Sequence, residues 1–291
     1  MLHHDHHDDF GGLHRDLAAT GAAIGRRGLF RLAARFGGAV GAFHLIGCGD
    51  SPTSPTAVST TSTNTTPTTT TTTTPPTTTN PTPSSCGRIP EETQGPYPGD
   101  GSNGPNVLSA SGVVRSDIRT SFAGLSGTAD GVPLTILLNI VSASTCAPLA
   151  GRAVYLWHCD RLGRYSLYSQ GVTNQNFLRG TQEADGNGRV SFTSIYPGCY
   201  AGRWPHIHFE VYPSLSAATN VANRVATSQI ALTKDSADAV YASTGYDGSA
   251  RNLSQVSLAT DNVFSDGSAL ELATVIGSVA GGYTATLTVA V

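Results

Sequence analysis

Residues 86–291 contain short runs of apolar or alternating residues, and this pattern constrains the fold more than any other feature of the chain. Turn-forming residues separate the runs, and Asp185-Gly186-Asn187-Gly188 is typical of a hairpin because Asn and Gly tolerate positive φ angles. Only one short stretch, 236–244, has a helical pattern. The predicted strands cover residues 134–141, 153–158, 189–195, 206–212, 227–232 and 283–289. We therefore predict an all-β fold, a β-sandwich of mainly antiparallel strands with long loops and little helix.

The chain carries little charge, which excludes some classes of function. It has 17 Lys and Arg against 20 Asp and Glu, a formal net charge of -3, and only 13% charged residues. A soluble domain usually has about 25%. No run of basic residues could follow a phosphate backbone, so we expect no nucleic-acid partner. A multi-spanning membrane protein is excluded as well, because no second long apolar run follows the first one near the N-terminus.

The first 48 residues have the pattern of an export signal. The pair Arg26-Arg27 precedes a weakly apolar stretch, 32–43, as in a twin-arginine signal. Leu45-Ile46-Gly47-Cys48 resembles a bacterial lipobox, in which the cysteine is lipidated after cleavage. An uncleaved membrane anchor and an amphipathic helix are the alternatives. We predict an exported, extracytoplasmic bacterial protein, secreted or attached to the cell surface, whose only contact with the membrane is a lipid anchor at Cys48.

Residues 49–85 separate this signal from the rest of the chain. They are almost wholly Thr, Pro and Ser, including the threonine run 68–74. Such a segment has little apolar surface to bury and cannot offset the entropy lost on ordering. We predict a Thr/Pro-rich disordered stalk over 49–85 and a single folded domain over 86–291, which is long enough for one sizeable core.

Four cysteines lie in the predicted domain: Cys86, Cys146, Cys159 and Cys199. An even number outside the cytoplasm favours two disulfides, and three pairings are possible. Buried free thiols are the alternative. A thiolate metal site is not favoured, because no Cys-x-x-Cys spacing occurs.

The sequence His206-Ile207-His208 indicates a metal site. It lies in a predicted strand, where residues i and i+2 face the same side, so both imidazoles converge on one point. Alone this is a weak signal, since ordinary strand histidines have the same spacing. Upstream, a loop rich in turn formers holds Tyr200 and Arg203, and loops on a rigid sheet often carry functional residues.

Several segments together resemble the intradiol ring-cleavage dioxygenase family, and its exported lipoprotein-type members most of all. The segments are Tyr155 to Tyr165, Phe177 to Thr181, and Tyr196 to Phe209 with its two-tyrosine, two-histidine order. Glu92-Thr93-Gln94-Gly95-Pro96-Tyr97 is similar to the segment that leads into the family's domain. The resemblance covers about residues 86–291 and implies that this range is the catalytic domain.

The resemblance implies one non-haem ferric ion, Fe(3+), as the cofactor, bound by Tyr165, Tyr200, His206 and His208. By motif position Tyr165 stays bound, whereas substrate displaces Tyr200, whose phenolate then accepts a substrate proton. Hard phenolate donors stabilise Fe(III), and with imidazole they suit iron better than zinc. For either tyrosine considered alone, a place in the apolar core is the usual interpretation. His158 corresponds to a position that is not a ligand, and we expect a structural role for it.

The family's reaction cleaves the ring of catechol-type aromatics between the two hydroxylated carbons, using O2, to give muconate-type diacids. Arg203 matches the arginine that stabilises charge developing on the substrate ring, and a surface or salt-bridging role is its alternative. Gln229 matches a glutamine near the substrate, and hydrogen bonding at a sheet edge is its alternative. The expected partners are a small catechol substrate and O2, and the oligomeric state is left open, a homodimer included.

Two functions without turnover remain as alternatives. An exported β-sandwich could be a carbohydrate-binding module, in which case the four candidate ligands would be scattered. It could also be a metal carrier that uses His-x-His, which would not consume O2. The particular catechol cannot be chosen from the sequence, because selectivity for ring substituents depends on the shape of the pocket.

Overall fold

A computed structural model describes residues 86–291 of the chain. The predicted export signal, its Cys48 and the predicted stalk lie outside the described residues. No helix within 86–291 is long and apolar enough to cross a membrane.

Eight strands form two four-stranded sheets. The strands are β1 (Pro133–Val141), β2 (Ala153–Trp157), β3 (Arg179–Glu183), β4 (Arg189–Ile195), β5 (His206–Tyr212), β6 (Ala226–Ala231), β7 (Thr274–Ser278) and β8 (Gly282–Ala290). One sheet has the order β4-β1-β8-β7 and the other β3-β2-β5-β6. All neighbouring strands are antiparallel except β1 and β8, which are parallel with Leu134 opposite Tyr283. The predicted all-β sandwich is confirmed.

Little helix accompanies the sheets. The α-helices are α1 (Lys234–Tyr241) and α2 (Ser249–Leu253), and three 3-10 turns cover Ala217–Thr219, Val221–Asn223 and Phe264–Asp266. Helix α1 anchors the loop between β4 and β5: the Tyr241 hydroxyl donates to the Pro197 carbonyl at 3.0 Å, and the Tyr196 and Ser236 hydroxyls are 2.8 Å apart.

The first sheet follows the alternation expected of a sheet with one buried face. On β1, Leu134, Ile136, Leu138 and Ile140 are at most 1% exposed, whereas the residues between them are partly exposed. The buried set packs against the inner face of the second sheet. This apolar layer between the sheets is the main core of the domain.

The second sheet is buried on both faces, which explains its nearly continuous apolar runs. On β2 and β5 every residue is buried. Val154, Leu156, Ile207, Phe209 and Val211 face the core between the sheets. The alternate residues face outward and are covered by the loops 86–132 and 158–178, so this outer face forms a second enclosed space.

The prediction of two disulfides is wrong in part. Cys86 and Cys146 are bonded to each other, whereas Cys159 and Cys199 are buried free thiols. Each free thiol donates to a backbone carbonyl, Cys159 to Gly198 and Cys199 to Arg203, both at 3.4 Å. Burial raises the pKa of the Cys199 thiol to about 12 and that of Cys159 well above its usual value, so both remain protonated.

A buried carboxyl lies on the outer face of the second sheet. Glu210 is fully buried on β5, and the Tyr212 hydroxyl donates to its Oε2 atom at 2.6 Å. The carboxyl of buried Asp100 lies close enough to interact with that of Glu210. Burial raises the pKa of Glu210 to about 8, so this carboxyl stays protonated near neutral pH.

We predict that Glu210→Gln makes the stability of the metal-free protein less dependent on pH. The folded chain binds the Glu210 proton more tightly than the unfolded chain does, because its pKa is raised to about 8. The contribution of this group to stability is therefore full below about pH 4.5 and is lost as the pH rises through about 8. Between about pH 5 and pH 9 the wild-type melting temperature should fall by more than that of the variant.

The matched control is Glu183→Gln, since Glu183 is an exposed glutamate on β3. Its melting temperature should follow the wild-type pH curve. Equal pH slopes for the wild type and Glu210→Gln would contradict the prediction.

Candidate metal centre

The four predicted ligands lie together on the outer face of the second sheet. His206 and His208 are on β5, two residues apart, and both side chains face outward from the core. Tyr165 lies in the loop between β2 and β3, and Tyr200 in the loop between β4 and β5. Tyr165, His206 and His208 are buried, whereas Tyr200 is half-buried.

Two glycines allow the tyrosine-bearing loops to lie against each other. A Cβ atom at Gly198 would lie 2.6 Å from the Arg161 carbonyl oxygen, and one at Gly163 would lie 3.0 Å from Cβ of Tyr200. Gly163 also has a φ of +80°, which favours glycine. The Gly198 amide donates to the Asp160 carbonyl at 3.0 Å. Close backbone contact therefore brings Tyr165 and Tyr200 to the same side of β5.

The donor atoms of the four residues form a compact cluster. The Tyr165 hydroxyl oxygen is 3.4 Å from that of Tyr200, 3.4 Å from Nε2 of His206 and 3.1 Å from Nε2 of His208. Nε2 of His206 is 3.1 Å from both the Tyr200 oxygen and Nε2 of His208. These five distances of 3.1–3.4 Å are about those between ligand atoms that share one metal ion, when each bond to nitrogen or oxygen is about 2 Å.

A hydrogen bond orients the imidazole of His206, and packing orients that of His208. Nδ1 of His206 donates to the Trp204 carbonyl, so Nε2 presents its lone pair to the cluster. His208 stacks on Trp157, with ring centroids 5.0 Å apart and planes 5° apart. On the other side the backbone of Gly95 lies so close that an added Cβ would be 3.1 Å from Cε1 of His208.

The charge state of the cluster also suits a cation. Burial, with a smaller effect of Arg203, lowers the pKa of His206 well below its usual value, and burial lowers that of His208 likewise, so both imidazoles are neutral. Burial raises the pKa of the Tyr165 phenol well above 10. Only a strong nearby positive charge would ionise this phenol, and a metal ion supplies one. These residues therefore fit a hard cation with nitrogen and oxygen ligands.

Tyrosine is essential to this donor set. Within residues 86–291 no three His, Cys, Asp or Glu side chains come together in a way that could hold a metal ion. His158 does not reach the cluster: Nε2 lies 2.7 Å from the Ser194 hydroxyl and Nδ1 lies 2.8 Å from the Cys159 carbonyl. The structure thus gives His158 a hydrogen-bonding role behind the site.

The two other predicted site residues border the cluster. Arg203 is 2% exposed, so it is not a surface residue, and its Nη1 atom lies 3.5 Å from Nε2 of His206. Its Nη2 atom donates to Oε1 of Gln229 at 2.6 Å. Gln229 lies on β6 opposite His208, and its Nε2 atom donates to the Thr93 carbonyl at 2.8 Å. All six predicted site residues are therefore brought together.

Two buried acids near the site were not predicted. Asp261 is fully buried and binds Arg203, with Nε and Oδ2 3.0 Å apart. Nothing in the sequence around Asp261 distinguishes it from the domain's other acidic residues. Glu210 could have been found, because the strand alternation that pairs His206 with His208 places residue 210 on the same face.

We predict that Tyr165→Phe removes tight metal binding, whereas Tyr168→Phe retains it. Tyr165 is one of the four donors and Tyr168, three residues later in the same loop, is outside the cluster. The expected loss is at least about 100-fold in affinity, since even residues that only support a ligand contribute 10- to 100-fold. Metal content per chain and competition with a chelator measure it. Equal metal affinity in both variants would show that Tyr165 is not a ligand.

Comparison with known proteins shows that the chain is similar to dioxygenases. A family model described as a dioxygenase matches residues 104–226, which include all four donors and Arg203. An intradiol ring-cleavage dioxygenase from Tetranychus urticae has 25% identity and a TM-score of 0.54, over 70% of this chain and 94% of that one. A second dioxygenase crystal structure has the same identity and coverage, with a TM-score of 0.56. No curated protein sequence matched the chain.

Proposed function

We propose that the chain belongs to the intradiol ring-cleavage dioxygenase family of oxidoreductases, to whose members it is similar, and that it uses one non-haem ferric ion and O2 to cleave catechol-type aromatics. Cleavage falls between the two hydroxylated carbons and gives a muconate-type diacid. The observation that carries this proposal is the cluster of two phenols and two neutral imidazoles, in which each donor atom lies 3.1–3.4 Å from at least two others.

Tyr165, Tyr200, His206 and His208 would hold the ion. A bound ferric ion supplies a Lewis acid that draws electron density from a chelated catecholate and makes its ring reactive toward O2. Ionised phenolates favour the ferric state, which agrees with a reaction that needs no external reductant.

The two tyrosines have different surroundings, which suit different roles. Tyr165 is 2% exposed, and its backbone amide donates to the Ser169 hydroxyl at 2.9 Å. Tyr200 is more exposed and lies in a loop next to Gly202, which has a φ of +82°. We assign to Tyr165 the role of permanent ligand. Tyr200 would be the ligand that gives way to substrate, and its phenolate oxygen would then be free to accept a substrate proton.

Arg203 supplies a fixed positive charge beside the cluster. A guanidinium stays protonated at working pH, so it stabilises negative charge that develops on the substrate ring without itself losing a proton. Its Nη2 atom is held by Gln229, which in turn binds the Thr93 carbonyl. Gln229 therefore helps to orient Arg203 and ties the Glu92–Tyr97 segment to the site.

Two half-exposed aromatic rings, Tyr97 and Tyr168, lie next to the candidate ligand Tyr165. The Tyr97 ring centroid is 5.0 Å from that of Tyr165 and 5.1 Å from that of Tyr168. Flat apolar rings of this kind suit the docking of an aromatic substrate next to the cluster. A metal carrier would need neither these rings nor the buried Arg203, which favours an enzyme over the alternative without turnover.

We also propose that the reaction takes place outside the cytoplasm. The signal-like residues 1–48 and the Thr/Pro-rich residues 49–85 support export and a lipid anchor at Cys48. The Cys86–Cys146 disulfide supports it independently, because such bonds persist mainly in oxidising compartments. The domain over 86–291 would then meet its catechol substrate at the cell surface or in secreted form.

The proposed function is tested with the purified, iron-loaded protein and a panel of catechols. We expect O2 uptake together with the ultraviolet absorbance of a muconate, and both should disappear in His206→Ala, which cannot hold the ion. A protein that binds no iron, or that consumes no O2 with any catechol of the panel, would overturn the proposal.

We predict that Arg203→Met lowers kcat by about 100-fold or more, the loss typical when one preorganised charge-stabilising group is removed. Arg251→Met is the control, because Arg251 is exposed on α2. Iron content should be unchanged in the control, and its kcat should equal that of the wild type. Steady-state O2 uptake measures kcat in both variants. A wild-type kcat in Arg203→Met would show that Arg203 has no role in the reaction.

A further inference from the structure

A buried carboxylate connects the C-terminal part of the chain to the site. Asp261 is fully buried and each of its oxygens accepts two hydrogen bonds. Oδ1 accepts from the backbone amides of Val263 at 2.8 Å and Phe264 at 3.1 Å. Oδ2 accepts from Nε of Arg203 at 3.0 Å and from the backbone amide of Trp204 at 2.7 Å. Oδ1 thus stabilises the loop that contains Asp261, and Oδ2 binds two residues next to the candidate metal site.

We propose that Asp261 is a positioning residue for ring cleavage, which orients the Arg203 guanidinium toward the metal cluster and fixes the backbone of Trp204, whose carbonyl orients His206. This inference rests on the proposed function and adds to it a residue outside the range 104–226 that the dioxygenase family model matches.

Two hydrogen bonds, joined by the backbone of Trp204, connect Asp261 to a proposed metal ligand. Oδ2 accepts from the Trp204 amide, and the carbonyl of the same residue accepts from Nδ1 of His206. The same Oδ2 atom binds Nε of Arg203 while Nη1 of that arginine lies 3.5 Å from Nε2 of His206. Asp261 therefore acts on both the arginine and the histidine without lying at the cluster itself.

The charge of Asp261 also explains how an arginine can lie beside a cationic centre. The side chain of Arg203 is 2% exposed and that of Asp261 is fully buried. A buried guanidinium without a counter-charge is strongly disfavoured, and a nearby metal ion would repel it further. The Asp261 carboxylate at Nε offsets this charge and Gln229 accepts from Nη2, so Arg203 is kept in place rather than displaced toward solvent.

The variant Asp261→Asn should disturb the position of Arg203 while it keeps the hydrogen bonds that stabilise the loop around residue 261. Asparagine keeps an oxygen that can accept from the amides of Val263 and Phe264, but it places an NH2 group against the donors of Arg203 and Trp204. Two donors facing each other repel, so the guanidinium should move. A displacement of about 1 Å at a catalytic group can cost about 100-fold in rate.

The test compares Asp261→Asn with the control Asp247→Asn, since Asp247 is exposed. We expect Asp261→Asn to retain iron but to lose about 100-fold in kcat, with a much smaller change in KM. A crystal structure of the metal-free variant should show the Arg203 guanidinium displaced, a readout that is independent of activity. Asp247→Asn should match the wild type in each measurement.

A double-mutant cycle distinguishes positioning from a general structural effect. Arg203→Lys keeps the charge but lacks the Nε–H group that Asp261 binds. In this background Asp261→Asn should cost much less in kcat than it does in the wild type, whereas independent effects would multiply. If Asp261→Asn does not fold, Asp261→Glu keeps the counter-charge, shifts the carboxylate by one methylene group, and should lower kcat with iron bound.

The outcomes are distinct. If the wild type cleaves catechols and Asp261→Asn has the same kcat, this inference is overturned and the proposed function stands. The same holds for Asp261→Glu where that variant is used. Multiplicative losses in the cycle overturn it as well. A wild-type protein that neither holds iron nor consumes O2 overturns the proposed function and this inference with it.

Discussion

The burial of strand β5 on both faces is the constraint on which the site depends. Ile207, Phe209 and Val211 pack into the core between the sheets, so the alternation of the strand directs His206 and His208 to the opposite face. Loops cover that face and exclude water from the imidazoles. A rigid core thus fixes the histidine pair, and the tyrosines are brought to it by loops.

The strands with strong apolar patterns could be predicted from sequence, and those without them could not. Strand β4 has the predicted bounds, and β5 does as well, because alternation or continuous burial leaves a clear pattern. Strand β3, Arg-Gly-Thr-Gln-Glu, and the exposed edge strand β7 lack that pattern and were missed. Their pairing is determined by neighbouring strands, which local sequence does not reveal.

The same distinction applies to the site. Tyr165, Tyr200 and the histidines lie in recognisable motifs, so their convergence could be expected. Asp261 is far along the chain in a loop, and its partnership with Arg203 arises from tertiary packing alone. The two free cysteines have a similar cause: the Cys159 thiol donates to a carbonyl of a neighbouring loop and the Cys199 thiol to one of its own loop, which no count of cysteines could reveal.

The most direct measurement of the central claim is the visible absorption of the iron-loaded protein. If Tyr165 and Tyr200 bind a ferric ion, the protein has a tyrosinate-to-iron charge-transfer band that is absent without metal and changes when a catechol is added. A colourless iron-loaded protein would contradict the account. So would a band that survives when both tyrosines are replaced by phenylalanine.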